Sequence, residues 1–215
     1  FSPYFLGLLD CQNQIVWLGA PTKRNDKMYF DLYSPRWHGD TIQLANEIFG
    51  EGYFVRPSEI AAEPGSVIVI SQEENETLLG FAQGRVLRQG ALQDYLERDM
   101  ADIPPDIADA DRKGALGVIQ AIAVAPEHRR CGHGTKLIEL LHDRLIGLGA
   151  DKLIVTFKRG PGAAHVDGIM SRLGFETWQR LPSYWQARCD AREFQCIDRR
   201  SGCTCEALLY RKAIY

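Results

Sequence analysis

Arg129-x-x-Gly132-x-Gly134 stands between an apolar run, Val118–Val124, and a second run whose apolar residues recur at helical spacing. Those residue types in that order suit the binding of a pyrophosphate. Two positions without side chains let a backbone curl closely around an anion. A helix that opens there turns unpaired N–H groups and the positive end of its dipole toward the charge. Pro126 ends the strand, because proline cannot donate to a sheet ladder. Beyond Gly134, the residues Leu137, Ile138, Leu141, Leu145 and Leu148 predict the helix and Gly149 its stop. Other phosphate turns fit less well. A Rossmann turn requires glycine where Leu137 stands, and a Walker loop requires Gly-Lys-Ser/Thr where the chain reads Gly134-Thr135-Lys136.

With a strand before it and a helix after, this stretch resembles the coenzyme motif of the GNAT superfamily of acyl-CoA-dependent N-acyltransferases. Arg172-Leu-Gly-Phe175 resembles the Leu-Gly-Phe signature that closes the fourth helix of that family. The two motifs come in the expected order, and the resemblance covers about residues 27–215. It implies an α/β fold with a mixed sheet whose central strands splay apart, and acetyl-CoA as cosubstrate in the gap. The backbones of Ile122, Ala123 and Val124 would then hold the pantetheine arm. Arg129, Arg130, Cys131, Gly132, His133, Gly134 and Thr135 would surround the pyrophosphate. A backbone N–H near Ile122 would stabilise the oxyanion formed when an amine attacks the thioester. The side chains of Ile122 and Val124 are read at the same time as core packing.

An ammonium group has no lone pair, so the reaction needs something to take the amine's proton. Many relatives use a glutamate on the coenzyme strand, and the matching position here is Gln120. Glutamine can orient water but accepts no proton at neutral pH, so the base lies elsewhere or is water. Glu51, His165 and acids in the loop before the coenzyme strand are the candidates. The leaving thiolate is often protonated by a tyrosine whose place is taken here by Met170, a core-packing residue on the helix's apolar stripe. Tyr184 is the substitute considered.

The remaining elements follow from pattern. Strands are predicted at 28–33, 66–70, 78–87, 152–157 and 206–211, with helices after Ser34-Pro35 and over 166–173. Residues 1–25 form an N-terminal extension that packs on the domain of residues 26–215 or on a second copy of the chain, as a homodimer would allow. The apolar runs of that extension are split by Asp10–Gln14 and are too short to span a bilayer. With 28 acidic and 25 basic residues, the chain offers no general surface for nucleic acid. No membrane association is expected, and the protein is read as cytoplasmic.

Two segments are unusual. Residues 89–113 form an acidic insertion, read chiefly as solvated or mobile with a short helix at 91–100, although its charge could attract a cationic amine. Cys189, Cys196, Cys203 and Cys205 fall in a final hairpin over about residues 185–206. Zinc, a disulfide or redox pair, and ordinary thiols all remain open for them, because the spacing lacks paired Cys-x2-Cys knuckles. The functional expectation is acetyl transfer from acetyl-CoA to a primary amine of a small molecule or a protein N-terminus. Its rivals are a non-catalytic CoA-binding regulatory module and a zinc or redox interaction module built on the cysteines.

Overall fold

The structure is a computed structural model that describes residues 8–9, 15–16, 29–54, 56–74, 76–97, 103–159, 163–193 and 205–214, with backbone alone at 8–9, 15–16, 159 and 163–165. Strands β1 (Leu8–Leu9) and β2 (Ile15–Val16) pair with each other in a short antiparallel ladder. The main sheet has seven strands. Its members are β3 (Tyr29–Leu32), β4 (Ser66–Gln72), β5 (Leu78–Val86), β6 (Leu116–Val124), β7 (Lys152–Arg159), β8 (Glu176–Leu181) and β9 (Glu206–Ala213). They lie in the order β3-β4-β5-β6-β7-β9-β8, and every pairing is antiparallel except β6 with β7. This is the mixed α/β sheet that the sequence predicts.

Helix α5 (His133–Gly147) lies on one face of the sheet, with α6 (Ala163–Arg172). Its stripe of Leu137, Ile138, Leu141 and Leu145 is buried with Ile119, Val155, Leu208 and Tyr210, which is why the 3.6-residue period was visible in the sequence. Met170 joins the same cluster at 1% exposure, as expected of a packing residue. The opposite face has two covers. Helix α1 (His38–Phe49), preceded by a 3-10 turn at Pro35–Trp37, and α2 (Pro57–Ala62) cover Phe81, Ala121 and Ala123. Helices α3 (Leu92–Leu96), α4 (Pro105–Lys113) and α7 (Gln186–Asp190) cover Val118, Ile154 and Leu209.

The acidic insertion contains the short helix expected within 91–100, as α3, and a second helix, α4, that was not expected. Among the described residues it is two helices rather than a solvated loop, because Leu92, Leu96, Ile107 and Ala110 alternate with its acids and are buried in the core. Asp111 of α4 locks the pair by accepting the Leu92 N–H at the start of α3, at 3.1 Å. Burial holds the Asp111 carboxyl above the ordinary range, against the opposing effect of those backbone bonds.

Candidate active site

The parallel ladder between β6 and β7 runs from Leu116 opposite Lys152 to Ile119 opposite Val155 and stops there. Both strands continue. β6 stays with β5 as far as Val124 opposite Gly80, while β7 stays with β9 as far as Arg159 opposite Glu206. The central strands therefore diverge, leaving the β7-facing backbone edge of residues 120–124 without a strand partner among the described residues. Backbone groups left unpaired beside a gap are what an extended amide-bearing ligand needs, because it can bond to them as an added strand would.

At the end of β6 the chain turns through Pro126–His128 into α5. Arg129 folds back so that its Nε donates to the Val124 carbonyl oxygen at 3.1 Å, pinning the turn to the strand. Arg130 and Gly132 both adopt left-handed backbone, at φ 65° and 87°. Gly132 is the N-cap of α5 and no side chain caps it, so the first N–H groups of the helix point out of the turn. A Cβ on Gly134 would meet only the Val124 Cγ2, at 3.8 Å. The protein's own packing does not require glycine there, and the space kept open fits the close approach of a pyrophosphate.

Not all of the turn faces outward. The His133 side chain is 4% exposed and packs near Phe30 and His128, with ring centroids 6.4 and 6.0 Å away. Its Nδ1 is buried without a hydrogen-bond partner among the described residues, and burial, followed by the charge on His128, lowers its pKa. Thus His133 can offer an anion its backbone N–H while its ring serves the core. The Cys131 thiol donates to the Arg129 carbonyl oxygen at 3.4 Å.

On the sheet face away from α5, a cavity of about 220 Å³ opens where β6 and β7 part. Gln120 and Thr156, the residues that follow the last β6–β7 pair, both line it. Gln83 is opposite Ala121 and Gly84 is opposite Ile119, so Gln120 is the extra residue of a β-bulge. The bulge restores the alternation beyond it, with Ala121 and Ala123 toward α1 and Ile122 and Val124 toward α5. Gln83, 5% exposed on β5, donates through Nε2 to Gln120 Oε1 at 2.5 Å. That bond leaves the Gln120 amide nitrogen as a donor.

The other walls come from elements far apart in the chain. Tyr53 follows α1; Asp94, Tyr95 and Glu97 come from α3 and its end; Tyr184, Trp185 and Arg188 come from α7 and the turn before it; and Arg85 comes from β5. The Tyr95 hydroxyl lies 3.4 Å from Thr156 Oγ1, and burial raises its pKa despite that contact. Burial also raises the Tyr53 pKa, against the pull of Arg188 and Lys158. Both phenols are therefore neutral at ordinary pH.

The predicted catalytic residues separate. Gln120 and Tyr184 meet in this one cavity, whereas Glu51 is exposed on the turn after α1 and does not line it. The His165 side chain is outside the described residues. Tyr53, Gln83, Arg85, Tyr95 and Thr156 were missed by the sequence reading. A usable sign existed for two of them, because Gln83 and Arg85 interrupt an apolar strand at alternate positions. Of the four cysteines, Cys189 is buried and Cys205 half-buried in one core cluster, while Cys196 and Cys203 lie outside the described residues. Among the described residues no group of His, Cys, Asp or Glu is gathered to hold a metal.

A splayed parallel strand pair, an uncapped glycine turn and a cavity at the point of divergence define an acyl-CoA-type N-acyltransferase fold. The acetyltransferase (GNAT) family model matches residues 27–167, and the chain belongs to that family. The solved structures it resembles have the same fold. Naa20 of Chaetomium thermophilum, in complex with a bisubstrate analogue, is 16% identical with a TM-score of 0.61, covering 86% of each chain. The ribosomal-protein-S18-alanine N-acetyltransferase of Escherichia coli is 15% identical with a TM-score of 0.59, covering 87% of this chain and 94% of its own. A phosphinothricin acetyltransferase of Sinorhizobium meliloti, in complex with acetyl-CoA, is 16% identical with a TM-score of 0.58, covering 87% of this chain and 88% of its own. No curated protein matches by sequence. The protein is an N-acetyltransferase of the GNAT type, and no helix among the described residues is long and apolar enough to cross a membrane.

Proposed function

We propose that this protein transfers acetyl from acetyl-CoA to the primary amine of a small molecule or a protein N-terminus by direct attack on the thioester. The observation that carries this reading is the coincidence of the β6–β7 divergence with the cavity, since Gln120 and Thr156 belong to both. The coenzyme's pantetheine arm lies along the backbone of Ile122, Ala123 and Val124. Its pyrophosphate lies over the turn from Arg129 to Thr135. A β6 N–H near Ile122 bonds to the oxygen on which charge develops.

The amine enters from the cavity side. With its Oε1 already held by Gln83, Gln120 contributes an N–H and can position a water or an oxygen of the acceptor. Water in the half-open cavity carries the amine's proton away, and Tyr184 supplies one to the departing thiolate. A cytosolic location is part of this reading, in keeping with the free thiol of Cys131 in the coenzyme turn.

A second reading, a CoA-binding module without turnover, draws on the two departures from the family pattern, Gln120 and the buried Met170. One experiment separates the two. Calorimetric titration with acetyl-CoA reports binding, and thiol release with a panel of amines reports transfer. Binding with turnover supports the enzyme, binding without turnover supports the module, and lack of binding overturns both.

A further inference from the structure

We propose that the cavity takes a small acceptor carrying a carboxylate beside its amine, an amino-acid-type substrate, with the carboxylate read by Arg85 and Gln120. This inference rests on the acetyl-transfer reading and adds the chemistry of the acceptor to it. Its basis is a pair of donors in the cavity lining, the Gln120 amide nitrogen and the Arg85 guanidinium. Gln120 is turned by Gln83 so that its amide nitrogen is the group left to bond. Arg85 lies two residues beyond Gln83 on β5, on the same face of the strand.

The two guanidiniums of the cavity differ. Arg188 is engaged by Glu193 at 2.7 Å and faces Glu97 at 4.0 Å. The side-chain contact recorded for Arg85 is with the Glu63 carboxylate at 3.5 Å, a long and half-exposed pair. The Arg85 Nε is buried with no acceptor among the described residues. With Nε enclosed, the Nη groups of this cavity-lining and part-exposed side chain are the donors offered to a ligand. One carboxylate set between Arg85 and Gln120 supplies acceptors to both, and a planar guanidinium suits it best.

The remaining walls agree with a zwitterion. Asp94 on α3 brings a carboxylate to the cavity wall, where it favours the approach of an ammonium group. Tyr95, neutral and seated against Thr156, walls the cavity beside the strand divergence where the amine must react. A peptide N-terminus presents a neutral carbonyl to Arg85 and Gln120 instead of a carboxylate, and its chain must continue past it. A cavity of about 220 Å³ suits the small acceptor better.

The decisive comparison sets free amino acids against their own C-terminal amides, which differ in that one charge and keep the same amine position. Decarboxylated amines and short peptides complete the panel. The wild-type protein should favour acid over amide in kcat/KM by about tenfold or more, the worth of a charged hydrogen bond. Arg85→Gln should bring that ratio close to one, while Arg85→Lys should keep part of it. Acetyl-CoA titration of each variant verifies that the fold and the coenzyme cleft are intact. Acetyl-CoA binding with preference for amides, peptides or carboxylate-free amines, or with no turnover in the panel, overturns the inference. So does an Arg85→Gln variant that binds acetyl-CoA and retains the full ratio. A wild-type protein that fails to bind acetyl-CoA overturns the transfer reading beneath it.

Discussion

Gln83 donates to Gln120 across two adjacent strands, 2.5 Å from Nε2 to Oε1, and so decides which end of the Gln120 amide meets the cavity. Gln120 keeps the alternation set by Val118 and Ile119, and the bulge leaves both Gln120 and Ala121 to oppose Gln83 on the sheet face away from α5. An amide so placed holds water or substrate and takes no proton. Gln120→Ala should therefore lower kcat by no more than about tenfold, well short of the hundredfold or greater loss expected of a general base. Steady-state rates beside acetyl-CoA titration check this. A hundredfold collapse with acetyl-CoA binding intact would show that Gln120 is essential to proton transfer.

Gly134 tests the coenzyme turn more cleanly than Gly132. Any other residue at Gly132 must adopt φ near 87°, so a substitution there strains the backbone whatever it does to binding. Gly134 has no such constraint, and only Val124 Cγ2 lies within 4 Å of a Cβ built there. Gly134→Val should fold with a thermal midpoint near that of the wild type yet bind acetyl-CoA at least about tenfold more weakly, since its side chain fills the space a pyrophosphate needs. Unchanged affinity by calorimetry would mean that the pyrophosphate is held elsewhere.

The coenzyme turn was legible in the sequence because it is local. Strand, turn and helix occupy 116–147, and each announces itself through apolar period, proline or glycine. The cavity was not legible, because its walls come from six separate regions that only the sheet order brings together. Tyr95 shows the difficulty. A short helix was expected around it, but its acids suggested a solvated one, and the apolar pair Leu92 and Leu96 was too short a pattern to show that the helix is seated in the core. The position of Gln120 could be read, but not the bulge, since register depends on the partner strand.

The α5 stripe carries a stability prediction. Leu141 is wholly buried between helix and sheet, and Leu141→Ala should cost about 2–5 kcal/mol through lost burial and the cavity left behind. Leu148, 47% exposed just past the same helix, serves as the control, and Leu148→Ala should stay within about 0.5 kcal/mol. Urea unfolding of both variants measures the difference. Equal losses would place the helix in the wrong rotation on the sheet.

His133 couples the coenzyme turn to pH. Folding lowers its pKa below the ordinary histidine value of about 6.5, with burial as the larger cause and His128 the next. The unfolded chain therefore takes up a proton that the folded chain resists. The His133 contribution is fully present above about 6.5 and is lost as pH falls through that value toward the folded pKa. His133→Asn should flatten that part of the stability profile. Urea midpoints between pH 7.5 and 5 that track each other in wild type and variant would remove His133 as the cause.

The cysteines of the last connection offer a test that needs no substrate. Cys189 on α7 and Cys205 before β9 belong to one buried cluster, while their two companions by spacing, Cys196 and Cys203, fall in the stretch between. If the four bind zinc, the purified protein carries about one metal per chain, and a chelator destabilises the β8–β9 connection while acetyl-CoA binding at the distant turn persists. A redox pair gives metal-free protein whose thiol count rises on reduction. The burial of Cys189 among Leu181, Trp185 and Leu209 favours ordinary packing at that position. We expect metal-free protein with Cys189 unreactive until the chain is denatured, measured by elemental analysis and by thiol titration with and without denaturant. One equivalent of zinc, removed by chelator with loss of C-terminal protection from proteolysis, would refute that expectation.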